Sequence, residues 1–189
     1  MPKILRIINR FNLGGPAYST AYLTKYLNDD FEIKMIGGQK DDFEESSEFI
    51  LTEMGIEYTI LKNMRRKISF KNDRSTYKEI KKIIAEFKPD IVHTHAAKSG
   101  AIGRMAAYKM KVPVIVHTFH GHVFHSYFGF FKTKFFILLE RYLAKKSSRI
   151  ITLSERQQQE ICDIHKICPR EKASIVPNGI GLEYFKDQK

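Results

Sequence analysis

The stretch VHTFHGH at residues 116–122 follows an apolar run that begins at Pro113. The β-branched residues of this region predict a strand at 114–118, and four of the seven histidines lie between His117 and His125. In an open parallel sheet, ligands bind just beyond the carboxyl ends of the strands. Polar side chains crowded at this strand end therefore indicate a binding site.

The rest of the chain alternates between strand and helix patterns. Strands are predicted at 4–9, 31–37, 57–61, 89–95, 114–118, 149–153 and 173–176. Helices are predicted at about 16–27, 41–54, 76–87, 100–110, 135–146 and 155–165. This alternation predicts an α/β fold, a Rossmann-like, doubly wound and mainly parallel sheet with helices on both faces. Residues 1–176 form one domain in this interpretation, and residues 177–189 begin a linker.

The composition narrows the class of protein. With 189 residues, of which 43% are hydrophobic, the chain is long enough for one globular domain with a core. No apolar run approaches the roughly 20 residues of a membrane span, and no signal-peptide pattern opens the sequence. The two cysteines do not indicate a disulfide framework, so we expect a reducing, cytoplasmic location.

The formal net charge of +11 is concentrated in residues 62–82. This segment carries nine basic residues, among them Arg65, Arg66, Lys67 and Lys71, against two acidic ones. The field of such a cluster attracts polyanions, anionic lipid headgroups or phosphorylated ligands. A solvated charged face is the alternative interpretation.

The span 119–146 interleaves aromatic and basic residues. Its segment 123–131, which includes Phe128, Phe130 and Phe131, is predicted to lie in a loop before the helix at 135–146. An apolar surface outside a helix favours a lipidic ligand or a membrane interface. A core-facing helix is the alternative explanation for much of the span.

Gly14 and Gly15 stand between the first strand and the first helix. Two glycines let a backbone approach a ligand closely, and a helix start offers free N–H groups to an anion. The dinucleotide fingerprint and the P-loop lysine motif are absent, so a simple turn is the alternative.

Two further clusters carry potential ligands. His95, Lys98 and Arg104 surround a strand end and helix start, which indicates a polar floor for a hydroxylated or phosphorylated ligand. Helix packing with a surface arginine is the alternative there. Cys162 and Cys168 flank a histidine, but a structural zinc site needs a fourth ligand, and we favour buried thiols.

Several motifs act together as a family signature. They are Gly14-Gly15, PDIVHTH at 89–95, KSG at 98–100 with Gly103-Arg104, VHTFHGH at 116–122, ITLSE at 151–155 and VPNGI at 176–180. Together they resemble the N-terminal half of a retaining, family-4-type glycosyltransferase of the GT-B fold. The resemblance runs the length of the chain.

This resemblance implies a two-domain enzyme that transfers a sugar from a nucleotide diphosphate sugar with retention. The N-terminal half mainly holds the acceptor, and the C-terminal half, with its E-x7-E motif, mainly holds the donor. It further implies that no metal ion or other cofactor is required, and that this chain alone is inactive. The implied site consists of His120 as the catalytic residue, Gly14 and Gly15 near the donor diphosphate, and His95, Lys98, Arg104 and His122 at the acceptor.

The partners implied are a glycan or lipid-linked glycan acceptor and an anionic membrane surface at the cytoplasmic face. Arg65, Arg66, Lys67 and Lys71, together with Phe128, Phe130 and Phe131, are the predicted membrane patch. Two other hypotheses remain open at this point. One is a basic α/β domain that binds nucleic acid through cationic and aromatic side chains. The other is a zinc hydrolase that uses the histidines between His117 and His125.

Overall fold

The computed structural model describes residues 1–121 and 129–179, and the structural statements below refer to them. Its single sheet is parallel throughout, with the spatial order β3-β2-β1-β4-β5-β6-β7. The strands are β1 (Lys3–Ile8), β2 (Glu32–Gly38), β3 (Tyr58–Leu61), β4 (Ile91–His95), β5 (Val114–Thr118), β6 (Arg149–Thr152) and β7 (Ala173–Ile175). This order confirms the predicted doubly wound, Rossmann-like sheet.

Helices cover both faces of the sheet. They are α1 (Gly15–Leu27), α2 (Glu48–Glu53), α3 (Phe70–Phe87), α4 (Ala97–Lys109), α5 (Phe130–Lys146) and α6 (Glu155–Gln159), and α6 continues into a π-helical turn. Helices α1 and α2 pack on one face, whereas α3, α4 and α5 pack side by side on the other. Within the described ranges, no helix has the length and apolar character needed to cross a membrane.

Strict alternation along β1 divides the core between these two faces. Leu5 and Ile7 are fully buried against α3 and α4, in a cluster that includes Ile80. Ile8 faces the other side and packs in the cluster of α1 and α2. Burying a side chain of this size contributes roughly 1.5–3 kcal/mol, so a one-residue slip of β1 is strongly disfavoured. The same alternation directs Arg6 towards α1.

Four helix starts differ from the sequence prediction. Helix α3 begins at Phe70 rather than at 76, because Ser69 Oγ accepts the N–H of Asn72 and the Asp73 carboxylate accepts the N–H of Ser69. Helix α4 begins at Ala97 and α2 only at Glu48. Helix α5 begins at Phe130, so Phe130 and Phe131 belong to a helix and not to the predicted loop. The part of that loop at 123–128 lies outside the described residues.

The reversal of strand order places a crevice between β1 and β4. The chain winds from β1 towards β3, then crosses back and winds from β4 towards β7. Connections that leave β1 and β4 in opposite directions open a ligand crevice at the carboxyl edge of the sheet. Gly14 follows β1 and His95 ends β4, so the fold brings both predicted site regions to this edge.

Candidate functional site

A cavity of about 500 Å³ lies between α1 and the sheet. Arg6, His93 and His95 on β1 and β4 line it from the sheet, and His120 lines it from beyond β5. Asn178 completes the wall after β7, where the Ser19 hydroxyl of α1 donates a 2.9 Å hydrogen bond to Asn178 Oδ1. The size is typical of a small-molecule pocket.

Hydrogen bonds hold the histidines of this cavity in place. His95 Nδ1 lies 2.8 Å from His120 Nε2, which ties the end of β4 to the segment after β5. His93 Nε2 lies 2.8 Å from the Thr118 hydroxyl, and the rings of His93 and His95 are 4.1 Å apart. Because the bond between His95 and His120 joins two ring nitrogens, one ring donates and the other must accept with a neutral nitrogen.

Burial keeps these imidazoles neutral at physiological pH. It lowers the pKa of His120 to about 4. For His93 and His95, burial lowers the pKa well below the usual 6.5, and the Arg6 charge acts in the same direction. Neutral imidazoles can donate to and accept from sugar hydroxyls without adding charge to the pocket. The arrangement is therefore suited to orienting a hydroxylated ligand.

This titration predicts how folding depends on pH. The unfolded chain protonates these histidines near pH 6.5, whereas the folded chain protonates His120 only near pH 4. The contribution of these histidines to the free energy of unfolding is therefore fully present above about pH 6.5. It falls as the pH decreases, by about 1.4 kcal/mol per pH unit for each such histidine. Urea unfolding between about pH 7.5 and about pH 5 measures this slope.

A His120→Gln variant is the control for that measurement, because it removes one of the titrating groups. We expect its stability to depend less steeply on pH than that of the unchanged chain. A free energy of unfolding that stays constant from neutral to mildly acidic pH would contradict the assignment of neutral buried imidazoles.

Gly14 and Gly15 form the start of α1 and line a second, open depression. A Cβ atom added at Gly15 would meet nothing within 4 Å, so packing does not require a glycine there. The open space leaves the backbone accessible to a ligand. Glu44 and Glu45 also line this depression, and Arg10 neutralises Glu44 through a 2.9 Å bond from Nε to Oε2. A role near the donor diphosphate stays a prediction.

A family profile matches nearly the whole described structure. The profile of Glycosyltransferase Family 4 covers residues 13–184, from the loop before α1 to beyond β7. This chain belongs to Glycosyltransferase Family 4. The match confirms the family resemblance read from the sequence motifs.

Curated relatives of this Family 4 chain act on lipid-linked sugars. It is 38% identical, over 120 residues, to an Escherichia coli UDP-Gal:α-D-GlcNAc-diphosphoundecaprenol α-1,3-galactosyltransferase. That match covers 64% of this chain and 31% of the relative. It is also 29% identical over 183 residues to a Lactococcus lactis subsp. cremoris UDP-N-acetylglucosamine–N-acetylmuramyl-(pentapeptide) pyrophosphoryl-undecaprenol N-acetylglucosamine transferase. This second match covers 91% of this chain and 44% of the relative.

A solved structure shows the same fold. A glycosyltransferase from Rickettsia africae ESF-5 superposes with a TM-score of 0.71 at 19% identity, over 98% of this chain and 45% of the other. The Family 4 chain therefore has the fold of one Rossmann-like half of a GT-B protein, and it spans less than half the length of these relatives.

Lys98 has a structural role that the sequence did not reveal. Its Nζ donates to the backbone oxygens of Arg65 and Lys67, at 2.8 and 2.7 Å, and forms an ion pair of 2.6 Å with Asp73. These three contacts use the three N–H donors of the ammonium group. Lys98 thus holds the basic loop after β3 against the start of α4, and contact with an acceptor would require it to leave these partners.

Arg104 lies in the interior, on the α4 side of the sheet. Its side chain is fully buried, its Nε donates to Gly100 O at 2.9 Å, and one terminal nitrogen lies 2.7 Å from the Glu140 carboxylate. His117 lies on the same side, bonded to Thr94 and next to Gly100. The structure therefore does not bring Arg104 to the cavity. The sequence predicted that Arg104 contacts the acceptor, but its buried side chain has no exposed surface with which to do so.

The positions of the histidines also do not fit the zinc hypothesis. His117 faces α4, whereas His120 faces the cavity on the α1 side, so these two histidines do not converge. Among residues 1–121 and 129–179, no group of three potential ligands is arranged to hold a metal ion. Cys162 and Cys168 are free, buried thiols with sulfur atoms 3.9 Å apart, as the sequence favoured. His122 and Phe128 lie outside the described residues.

Sequence reasoning missed Arg6. It occupies the middle of β1, between Leu5 and Ile7, and is fully buried. A signal was present, because strands of a parallel sheet covered on both faces read as nearly continuous apolar runs. A basic residue in such a run indicates that its charge has either a protein partner in the interior or a bound ligand.

Proposed function

We propose that this domain binds the acceptor in an enzyme that transfers a sugar from a nucleotide diphosphate sugar, with retention, to a glycan carried on a lipid diphosphate. The observation that carries the proposal is the cavity at the β1–β4 crevice, with the neutral, hydrogen-bonded pair of His95 and His120 at its carboxyl edge. The activities for which the two relatives are named support both the reaction type and the acceptor class.

In this proposal His120 contacts the transferred sugar, and His95 orients His120. A neutral imidazole that donates a hydrogen bond to a hydroxyl of the transferred sugar holds that sugar in the orientation that it needs when charge develops at its anomeric carbon. The backbone of Gly14 and Gly15 at the start of α1 lies next to the donor diphosphate in this proposal. We propose no role for a metal ion. Because the chain spans 31% and 44% of the length of its relatives, we place most of the donor site of the proposed enzyme outside these 189 residues.

The direct test compares this chain with the protein that contains it together with the following sequence. We expect the longer protein to transfer radiolabelled galactose or N-acetylglucosamine from its UDP sugar to a GlcNAc-diphospho-lipid, and the chain alone to transfer none. Analysis of the product anomer tests retention. Absence of transfer to every lipid-diphosphate acceptor, with activity on an unrelated acceptor, would contradict the proposed acceptor class.

We further propose that the domain works at the cytoplasmic face of a membrane, on a surface defined by the loop after β3 and the start of α5. In the loop, Arg66, Lys67 and the apolar side chain of Ile68 are exposed, and Phe70 and Lys71 are exposed at the adjoining start of α3. Phe130 and Phe131 are 74% and 86% exposed at the start of α5. Both segments follow carboxyl ends of strands and lie in the same helical layer, which places them at one edge of the molecule.

Arg65 contributes less to this surface than the sequence indicated. Its Nε donates to Lys62 O at 3.1 Å, and its side chain is only partly exposed. Helix α5 adds further apolar surface. Its exposed side chains continue from Phe130 and Phe131 along the helix and include Phe135, Leu138 and Tyr142. Basic side chains near an anionic bilayer each contribute about 1 kcal/mol, and shallow insertion of phenylalanine adds to this.

We predict that the domain sediments with vesicles containing anionic phospholipid at low salt, and not with neutral vesicles. A triple variant, Arg66→Glu, Lys67→Glu and Lys71→Glu, should lose most of this binding, because repulsion replaces attraction at the contact surface. Co-sedimentation at increasing salt measures the effect.

The matched control changes the same number of charges elsewhere. Lys78, Lys82 and Lys109 are exposed on other parts of α3 and α4, so their replacement by glutamate alters the net charge equally. This control variant should keep most of its vesicle binding. Equal losses in the two variants would show that net charge, and not this surface, determines binding.

A further inference from the structure

Arg6 is a buried cation without a protein partner among the described residues. Its side chain is fully buried, and none of its three guanidinium nitrogens has a hydrogen-bond partner there. Folded proteins satisfy nearly all buried polar groups, and an arginine carries five N–H donors. A group that is not among these residues therefore completes the site around Arg6.

The surroundings of Arg6 favour an anion as that group. Arg6 lines the cavity beside His93, its register partner on β4, and no aspartate or glutamate is among the described residues that line the cavity. Burial lowers the pKa of Arg6 to about 9, so the guanidinium still carries its charge at neutral pH. Arginine binds phosphate and carboxylate oxygens through paired hydrogen bonds.

The cavity changes from polar to apolar along the strands. His95 and His120 lie at the carboxyl edge, and Arg6 lies further in, at the level of His93. Beyond Arg6, the lining consists of apolar and aromatic side chains. These include Ile4, Tyr26, Leu27, Phe31 and Ile91. Successive positions on one face of a strand are about 7 Å apart, which is enough to separate a polar group, an anion and an apolar tail.

We propose that this cavity binds the diphosphate and the first isoprenyl units of a lipid-linked acceptor, with the phosphate oxygens on Arg6. The sugar then lies towards His120, and the lipid extends towards Ile4 and Phe31. This order of sugar, diphosphate and lipid is the order of groups in the acceptor that the galactosyltransferase relative's name gives. The identity of the lipid rests on the proposed function, whereas the anion site rests on Arg6.

The first test is calorimetric titration of the 189-residue chain with farnesyl diphosphate, without vesicles and below its micellar concentration. We expect this probe to bind at least tenfold more tightly than inorganic pyrophosphate or farnesol, because only farnesyl diphosphate occupies both ends of the cavity. Arg6→Met, which keeps the length of the side chain but removes the charge, should weaken binding at least tenfold. Arg156→Met is the matched control, since that arginine side chain is 89% exposed.

The second test separates a ligand site from a structural arginine. Without ligand, Arg6→Met should melt at the same temperature as the unchanged chain or about 2–4 °C higher, because the substitution removes an uncompensated buried charge. Farnesyl diphosphate should raise the melting temperature of the unchanged chain and not that of Arg6→Met. A lower melting temperature for Arg6→Met, with undiminished ligand binding, would overturn the proposal.

A UDP titration distinguishes the two possible sources of the diphosphate. If UDP binds more tightly than farnesyl diphosphate and depends on Arg6, the site belongs to the donor and the lipid assignment is wrong. The sugar-transfer assay fails or succeeds independently of these titrations. Farnesyl diphosphate binding that depends on Arg6 in a protein without transferase activity would support the anion site while contradicting the proposed function.

Discussion

Replacement of His120 by alanine should lower the kcat of sugar transfer by about 100-fold or more, the usual effect of losing one preorganised donor at a reacting centre. His120 lines the cavity, and its contact with His95 fixes the orientation of its ring. Alanine leaves the ligand without that donor and leaves His95 without its partner. Steady-state kinetics of the longer protein, at saturating donor and acceptor, measure the loss.

His165→Ala is the matched control, because His165 follows the π-helical turn after α6 and is outside the cavity lining. It should retain near-normal kcat. His120→Asn, which preserves a donor at this position, should recover part of the activity. A His120→Ala enzyme with kcat close to that of the unchanged protein would remove His120 from the proposed mechanism.

Replacement of Glu140 by alanine should destabilise the domain by about 3–5 kcal/mol, the range for breaking a buried ion pair by removing one partner. Arg104 and Glu140 have side chains 0% and 4% exposed, and their charged atoms are 2.7 Å apart. The substitution leaves the Arg104 charge in the interior, with Gly100 O as its one remaining acceptor among the residues that the structure describes. Equilibrium unfolding in urea measures the change.

The double replacement Arg104→Met with Glu140→Leu should recover most of that loss, because it removes both charges and fills their volume with apolar atoms. Lys82 and Glu86, with side chains 77% and 64% exposed, form an i,i+4 pair on the surface, and Lys82→Ala should change stability by less than about 1 kcal/mol. If Glu140→Ala also costs less than about 1 kcal/mol, the buried pair does not stabilise the packing of α5 on α4.

The sheet was predictable because its signals are local. The apolar strands, the glycines after β1 and the alternation of elements all lie within short windows, and the structure reproduces the seven strands at nearly the predicted positions. The start of α3 was missed because apolar periodicity begins only after 76. The capping signal of Ser69 and Asp73 lies before that periodicity and places the helix start at Phe70, six residues earlier.

The site was predictable in position but not in the role of each side chain. His95 ends β4 and His120 follows β5, and these two strands pair in parallel, so the proximity of the histidines follows from topology. Lys98 and Arg104 follow the same strand end, yet their partners Asp73 and Glu140 are distant in sequence. A single sequence shows which charges are present and does not show which opposite charge the fold brings beside them.

The hydrogen bond between Ser19 and Asn178 connects the cavity to the direction in which the chain leaves the sheet. Asn178 and Gly179 are part of the wall, so a rotation of this segment about the end of β7 would reshape the space above Arg6. A ligand that fits one shape better must, by reciprocity, favour the corresponding exit direction. We therefore expect occupation of the cavity and the orientation of residues 177–179 to change together.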